Sequence, residues 1–212
     1  MSGAGAPGTT EKRHAPKGDE RRAALLASLD HHLQEGSLDS INIADISRRA
    51  GVTRSAFYFY FESKAMAVAA LSEEMYDESL AAAAHLAGDG TPAVNIEATI
   101  RSLFGAWERH QHLFRAMLDA RATTPAVREM WDADRASFVP PIAEIIEAER
   151  AAGRAPAGTD ASALASVLLE LNDRMLERLA LGGDLSRDQL VETVVSIWLR
   201  SIYGTTDERH HP

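Results

Sequence analysis

The 212-residue chain contains no cysteine, so disulfides, thiolate metal sites and a cysteine nucleophile are all ruled out. Lysine is scarce: the three lysines stand at 12, 17 and 64, all in the first third of the chain. No apolar run approaches the ~20 residues that cross a bilayer. Residues 1–18, rich in Gly, Ala, Pro and basic side chains, lack the apolar stretch of a secretory signal. A soluble, cytoplasmic globular chain is expected. Catalytic signatures are missing as well: there is no Walker loop, GxGxxG, GxSxG or HExxH, and His31/His32 and His110/His112 are spaced one and two residues apart. That spacing does not bring two imidazoles onto one ion. The expectation is no enzyme, no metal and no cofactor.

What is present is charge, unevenly placed. The net charge is −9, which taken whole argues against a polyanionic partner. Residues 1–64, however, hold nine Lys/Arg against eight acids, a balance of +1, whereas the remainder holds thirteen against twenty-three, a balance of −10. The two parts differ in electrostatic character.

Strand alternation and internal repeats are absent, and apolar residues recur with helical spacing throughout. The expected fold is all-α, about nine helices. Asp19 reads as the cap of a helix over 20–34 carrying Leu25, Leu29 and Leu33. A short helix over 43–50 follows, with Asn42 as its cap, and Gly51-Val52 makes a turn. Thr53 caps a second short helix reaching Tyr60, and Ser63 opens a long one to about residue 87. Further helices are expected over 92–109, 111–122, 124–152, 160–181 and 187–203. The fifth of these late helices has Ser186 and Gln189 as a capping box, and the one over 124–152 is kinked or broken at Pro140-Pro141.

Two short helices joined by a glycine turn form a constellation suited to DNA. Ile43, Ile46 and Ala50 pack the first against its neighbours, and Gly51 permits the tight turn that sets the second at a steep angle. The second helix then presents Thr53, Arg54, Ser55, Tyr58 and Tyr60 outward, with Ala56, Phe57 and Phe61 inward. FYFYF cannot be a pure core stripe, because residues two apart on a helix lie on different faces. Thr53 and the helix start suit a phosphate, Lys64 reaches another, and Arg54 suits either guanine or phosphate. The basic arm at Lys12, Arg13 and Lys17 reads equally as a minor-groove or phosphate contact and as a solvated tail.

These residues carry a resemblance. Ile43-Ala44-Asp45-Ile46, Ala50-Gly51-Val52-Thr53-Arg54, Phe57-Tyr58-Phe59-Tyr60-Phe61 and Ser63-Lys64, in that order within residues 21–71, are similar to the signature of the TetR family of bacterial transcriptional regulators. The resemblance implies an all-helical homodimer with an N-terminal three-helix helix-turn-helix domain and a C-terminal helical ligand-binding and dimerisation domain. By position it implies DNA contacts from Thr53, Arg54, Ser55, Tyr58, Tyr60 and Lys64. Tyr60 replaces the histidine found in many members, and Ala65 stands where an acid is common, so base preference does not transfer. The domain layout becomes a flexible arm over 1–18, the DNA-binding domain over 19–66, the ligand-binding and dimerisation domain over 67–204 and a flexible tail over 205–212.

Later stretches, ARATTPAVREMW at 120–131, IIEAERAAG at 145–153, LNDRML at 171–176 and IWLRSIYG at 197–204, are similar to a mycobacterial subgroup of that family whose body holds a narrow apolar tunnel. The resemblance places Trp107, Phe114, Trp131, Phe138, Ile142, Asn172, Met175 and Trp198 along or beside such a tunnel. Arg135 and Pro141 depart from that subgroup, which changes the shape of the pocket. Periodicity singles out Asn172 independently, since it interrupts the apolar face formed by Ala165, Leu168, Leu176 and Leu179. Its amide either pairs with a neighbouring backbone or dimer group or orients a ligand. Val191, Val194, Val195, Trp198 and Ile202, with Leu164, Leu168, Leu171 and Met175 before them, read as a two-helix dimer face. The function expected is a repressor that binds double-stranded palindromic operator DNA as a homodimer and is released by a small apolar ligand. The alternatives are an activator or a DNA-binding helical dimer without ligand response.

Overall fold

A computed structural model describes residues 17–204. The expected arm with its Lys12 and Arg13, the side chain of Lys17 and the tail over 205–212 lie outside the described residues. Eleven α-helices are present among the described residues: α1 (Lys17–Glu35), α2 (Ile43–Arg49), α3 (Arg54–Tyr60), α4 (Lys64–Leu71), α5 (Glu73–Ala83), α6 (Pro92–Arg109), α7 (Gln111–Thr123), α8 (Pro125–Ser137), α9 (Val139–Ala151), α10 (Ala161–Ala180) and α11 (Arg187–Tyr203). They reduce to the expected nine when α4 with α5 and α8 with α9 are each counted as one interrupted helix.

The helix starts follow the capping chemistry. Asn42 Oδ1 accepts from Ala44 N at 2.9 Å, Thr53 Oγ1 from Ala56 N at 3.2 Å and Asp160 Oδ1 from Ala163 N at 2.8 Å. Ser186 and Gln189 form a reciprocal capping box. Each supplies an acceptor to an amide that has no partner within its own helix. Asp19 is different: α1 is already helical at Lys17, so this carboxylate sits in the first turn, near the positive end of the helix, and is not its cap.

The two interruptions have separate causes. Phe138 ends α8, and Pro140 and Pro141 then fall in the first turn of α9, where a missing N–H leaves no intrahelical bond unmade. The break at Ser72 was not anticipated. Its Oγ donates to Val68 O at 2.9 Å, and its N–H is shared between Val68 O at 3.0 Å and Ala69 O at 3.1 Å. Side-chain back-bonding of this kind competes with the helix ladder and bends it.

α1, α2 and α3 form a head, α4 runs from the head onto α7, and α5 to α11 make the body, with α6 against α5 and α11 and α10 against α9. Leu25, Leu29, Ile46 and Phe57 in the head, Val68 on α4, and Ile100, Phe104, Ile146, Leu168 and Trp198 in the body belong to one continuous buried cluster. His112 Nε2 on α7 lies 2.8 Å from Asp30 Oδ1 on α1, tying body to head. His110 lies 3.2 Å from Glu78 instead.

The dimer face read from periodicity is divided. Val191, Val194, Trp198, Ile202 and Leu168 are buried within one chain, because α11 turns them onto α6 and α10, while Val195, Leu164, Leu171 and Met175 are half-buried. What α10 and α11 leave exposed is Val167 and Ile197, 63% and 37% accessible.

Phe57 is fully buried whereas Phe59, two residues on, is 81% exposed. Phe57→Ala should lower unfolding free energy by about 3–5 kcal/mol, whereas Phe59→Ala should change it by no more than about 0.5 kcal/mol. Chemical denaturation of both variants checks this, and equal losses would show that α3 is rotated from the orientation described.

Candidate DNA-binding face and ligand cavity

The orientation of α3 is set from beneath. Ser28 Oγ on α1 donates to Ile46 O at 2.9 Å in a buried bond, holding α2 to α1. Gly51, at φ +68°, adopts a left-handed conformation that a Cβ would strain. Val52 N then reaches Ser47 O at 3.0 Å, closing the turn. Phe57 packs on Phe61 with ring centroids 5.6 Å apart, and the Arg22 guanidinium lies 5.6 Å from the Phe61 centroid.

On the opposite side of α3, Thr53, Arg54, Ser55 and Tyr58 are exposed. Arg54 Nη2 donates to Tyr58 Oη at 3.3 Å, one turn on, so the guanidinium is oriented along the outer face. Tyr60 is half-buried and turned towards the start of α1, with its hydroxyl beside Gly18. Phe59, absent from the residues expected to touch DNA, is the most exposed large apolar side chain of the head. Its position within the alternating aromatic run was the signal available.

Lys64 is placed differently from the phosphate-reaching cation expected. Its Nζ donates to Leu38 O at 2.7 Å, Ile41 O at 2.6 Å and Asp39 O at 3.5 Å, so all three N–H groups are directed at the 3-10 turn over 38–40. Lys64 therefore fastens the start of α4 to the segment leading into α2. Arg54 and Lys64 together border a groove with residues 39–43 on this face.

In the body, the eight expected tunnel residues separate into groups. Trp107, Phe114 and Trp131 form one aromatic cluster, with centroids 4.2 Å apart for the first two and 5.9 Å for each to Trp131. Ile142 and Trp198 border a void of only about 20 Å³. Phe138 packs on Tyr76 at 5.6 Å, and Met175 is packed against the core. Asn172 has an internal partner: its Oδ1 accepts from Trp198 Nε1 at 3.1 Å in a buried bond. Asn172 is thus paired within the chain, through a side chain and not through the backbone or dimer group expected.

The larger cavity, about 450 Å³, is bordered by Phe114 and Trp131 but also by Arg121, Arg135 and Asp173. It is not the apolar tunnel expected. Arg135, one turn after Trp131 on α8, lies 4.5 Å from the Trp131 centroid and 5.4 Å from that of Trp107. Its Nε is 3.0 Å from Asp173 Oδ2 on α10. Burial pushes the Asp173 carboxyl up to about 6, against the opposing pull of Arg135 and Arg121 and with help from Glu170 and Glu177. A second cavity, about 340 Å³, lies between Ser72 and Tyr76 on one side and Met130 and Trp131 on the other. The interruption at Ser72 thus borders the aromatic cluster. No periodicity argument finds Arg135 or Asp173 as a pair, since the two meet only through the ion pair that joins α8 to α10.

Both parts of the chain match known families. Residues 27–71 match the family described as bacterial regulatory proteins, tetR family, and residues 96–204 match the C-terminal domain of the transcriptional regulator EthR. The HTH-type transcriptional regulator EthR of Mycobacterium tuberculosis is 34% identical over 194 residues, covering 89% of this chain and 90% of that protein. The EthR of Mycolicibacterium smegmatis is 31% identical over 197 residues, covering 90% and 89%. Among solved structures, NalD of Pseudomonas aeruginosa, a secondary repressor of the MexAB-OprM multidrug efflux pump, aligns with a TM-score of 0.69 at 17% identity over 88% of this chain and 98% of its own. SmeT in complex with triclosan aligns with a TM-score of 0.67 at 21% identity over 91% and 95%. At these identities the two structures speak to the fold alone.

Asp173 also sets a pH dependence. Its carboxyl is raised in the folded chain, to about 6 from an ordinary 3.8. The folded state therefore binds this proton more tightly than the unfolded state, and the group favours folding increasingly as pH falls from about 6 towards 4. Against Asp173→Asn, which does not titrate, the wild type should gain relative stability between pH 7 and pH 4.5. A difference in melting temperature that stays flat across that range would show an ordinary carboxyl.

Proposed function

Because the chain belongs to the TetR family of bacterial transcriptional regulators and is a helix-turn-helix regulator of the EthR kind, we propose that it acts as a homodimeric repressor released by a small organic ligand. The observation that carries the reading is the division of α3 into a buried inner side at Phe57 and an outer side of exposed Thr53, Arg54, Ser55 and Tyr58. A short helix held rigidly by its inner face and polar on its outer face is what a major groove admits.

In this reading Arg54 and Tyr58 approach base edges, Thr53 and Ser55 meet the phosphates at the groove margin, and Tyr60 reaches a phosphate beside the start of α1. Lys64 acts first through the 3-10 turn that it fastens, and offers its charge to the backbone from there. The head domain reaches from residue 19 to about 66, and the body from 67 to 204 binds ligand and partner. Two copies join through α10 and α11, with Val167 and Ile197 at the centre of the contact, and the two-fold axis imposes a palindromic operator.

Ligand release rests on the cavities around Trp131. Ser72 and Tyr76 border the smaller of these, and α4 runs from this point to Lys64 at the base of the head. A ligand that prefers one packing of Tyr76 and Trp131 changes the angle at Ser72 and with it the position of α3. The coupling required is about 1–3 kcal/mol, a common magnitude for linked sites. SmeT, whose structure holds triclosan, is a precedent for small-molecule binding on this fold.

Selection from a pool of random duplexes tests the DNA-binding part. The purified protein should enrich a palindrome and bind it as two chains, with half-site centres about one helical turn or a multiple apart. Arg54→Ala should weaken that binding at least tenfold, a loss of about 1.4 kcal/mol or more. Enrichment of no sequence, or unchanged affinity of the variant, would overturn the assignment of α3.

A further inference from the structure

Two buried N–H donors in the aromatic cluster of the body have no acceptor. Among the described residues, Trp107 Nε1 and Arg135 Nε are each buried without a hydrogen-bond partner. Arg135 Nε is close to Asp173 Oδ2, at 3.0 Å, but the contact is one of charge and not an aligned hydrogen bond. The two donors are neighbours, since the Arg135 guanidinium lies 5.4 Å from the Trp107 ring. Both residues border one small void that touches Ser72 and Tyr76, and Arg135 also borders the cavity of about 450 Å³. Buried donors in native proteins are almost always paired, so the unpaired Arg135 Nε beside this cavity points to an acceptor that arrives from outside, whereas Trp107 borders the small void alone.

The charges nearby specify that acceptor. Arg121 lies 5.1 Å from the Trp131 centroid, borders the same large cavity and has no ion-pair partner among the described residues. Arg121 and Arg135 are thus two guanidiniums on one indole, set against the half-buried Asp173; the other half-buried carboxylate of the cavity, Glu177, is paired with Arg174 at 2.8 Å, and Asp132 and Glu170 are exposed. A cationic ligand would have to displace Arg135 from the rings it already covers, and would leave its Nε unpaired. An anion answers both needs. The remaining wall, Phe114 and Trp131 stacked at 5.9 Å, is flat and apolar, suited to a ring or an acyl chain.

We propose that this cavity binds an organic monocarboxylate, an aromatic or medium-chain acyl acid, whose carboxylate replaces Asp173 as the partner of Arg135 and whose apolar part lies against Phe114 and Trp131. The inference rests on the reading of the body as a ligand sensor and names the ligand class. No bond is made or broken: one charged partner is exchanged for another, in a bidentate geometry that the guanidinium fork favours. The exchange draws Arg135 away from α10, and because Arg135 shares its small void with Ser72 and Tyr76, the movement is delivered at the interruption between α4 and α5.

The test uses the full-length protein with phenylacetate, 1-naphthoate and octanoate, each beside its primary amide and the amine of the same carbon skeleton, read by calorimetry and tryptophan fluorescence at neutral pH. At least one acid should bind about tenfold or more tightly than its amide, and the amines should bind more weakly still, as charge-assisted pairing requires. Arg135→Gln should remove the preference for acid over amide. Asp173→Asn, which removes the competing carboxylate, should tighten acid binding, whereas mere damage to the cavity would weaken it. Failure of every acid to bind, an amine or amide preference, or weaker acid binding by Asp173→Asn would overturn the assignment. Operator binding measured on the same samples keeps the two readings apart. If it persists when no acid binds, the ligand class alone has failed. If an acid binds with the expected dependence on Arg135 yet leaves operator affinity unchanged, the site stands and the sensing role fails.

Discussion

The wedge of Ile46, Phe57 and Phe61 against the leucine ladder of α1 is the constraint on which the outward chemistry of the head depends. Leu25, Leu29 and Leu33 bury one stripe of α1, and Phe57 fills it from α3, so that a seven-residue helix too short to be stable alone is held by its inner face. Thr53 and the left-handed Gly51 fix where that helix begins. Lys64 secures the other side of the unit by gathering three carbonyls of the 3-10 turn. The exposed Arg54, Ser55 and Tyr58 of α3 are the side chains that the proposed operator groove would partner.

The body works under the opposite constraint. Its aromatic cluster surrounds a guanidinium and a carboxylate that the interior does not fully satisfy. Burying such a pair is seldom a gain in stability over an apolar packing of the same volume, and the raised carboxyl of Asp173 reflects that. In the proposed switch, exchange of the partner of Arg135 supplies the second state that a ligand must favour. The continuous core that joins head and body through Val68 and α7 provides a packed route between the cavity and α3.

Much of this was legible in the sequence where the governing interaction is local. The caps at Asn42, Thr53, Ser63 and Ser186 each depend on residues two or three positions away, and Pro140-Pro141 announces the break before α9. The division of charge at residue 64 and the glycine turn were enough to point to a helix-turn-helix. Interactions across the fold were not legible. Helical spacing showed that Val191, Val194, Trp198 and Ile202 share a face, but not that α6 and α10 cover it. Arg135 and Asp173 lie 38 positions apart and carry no pattern. By motif Lys64 reaches a phosphate, and only the return of residues 38–41 beside α4 shows what it holds. The break at Ser72 comes from one serine in an apolar run, with no proline or glycine to mark it.

The account stands most directly on the claim that two copies of α3 are held at a spacing that fits DNA. Because the chain has no cysteine, Glu62→Cys places one spin label on each protomer, beside α3 and outside the proposed contacts, and pulsed electron paramagnetic resonance reports the distance between the labels. With the selected operator, the labels should give a single narrow distribution, consistent with α3 pairs about 34 Å apart or a multiple of that spacing. The distribution should be broader, or centred elsewhere, without DNA. No dipolar coupling, or a distribution identical with and without operator in a protein that binds it, would contradict the account.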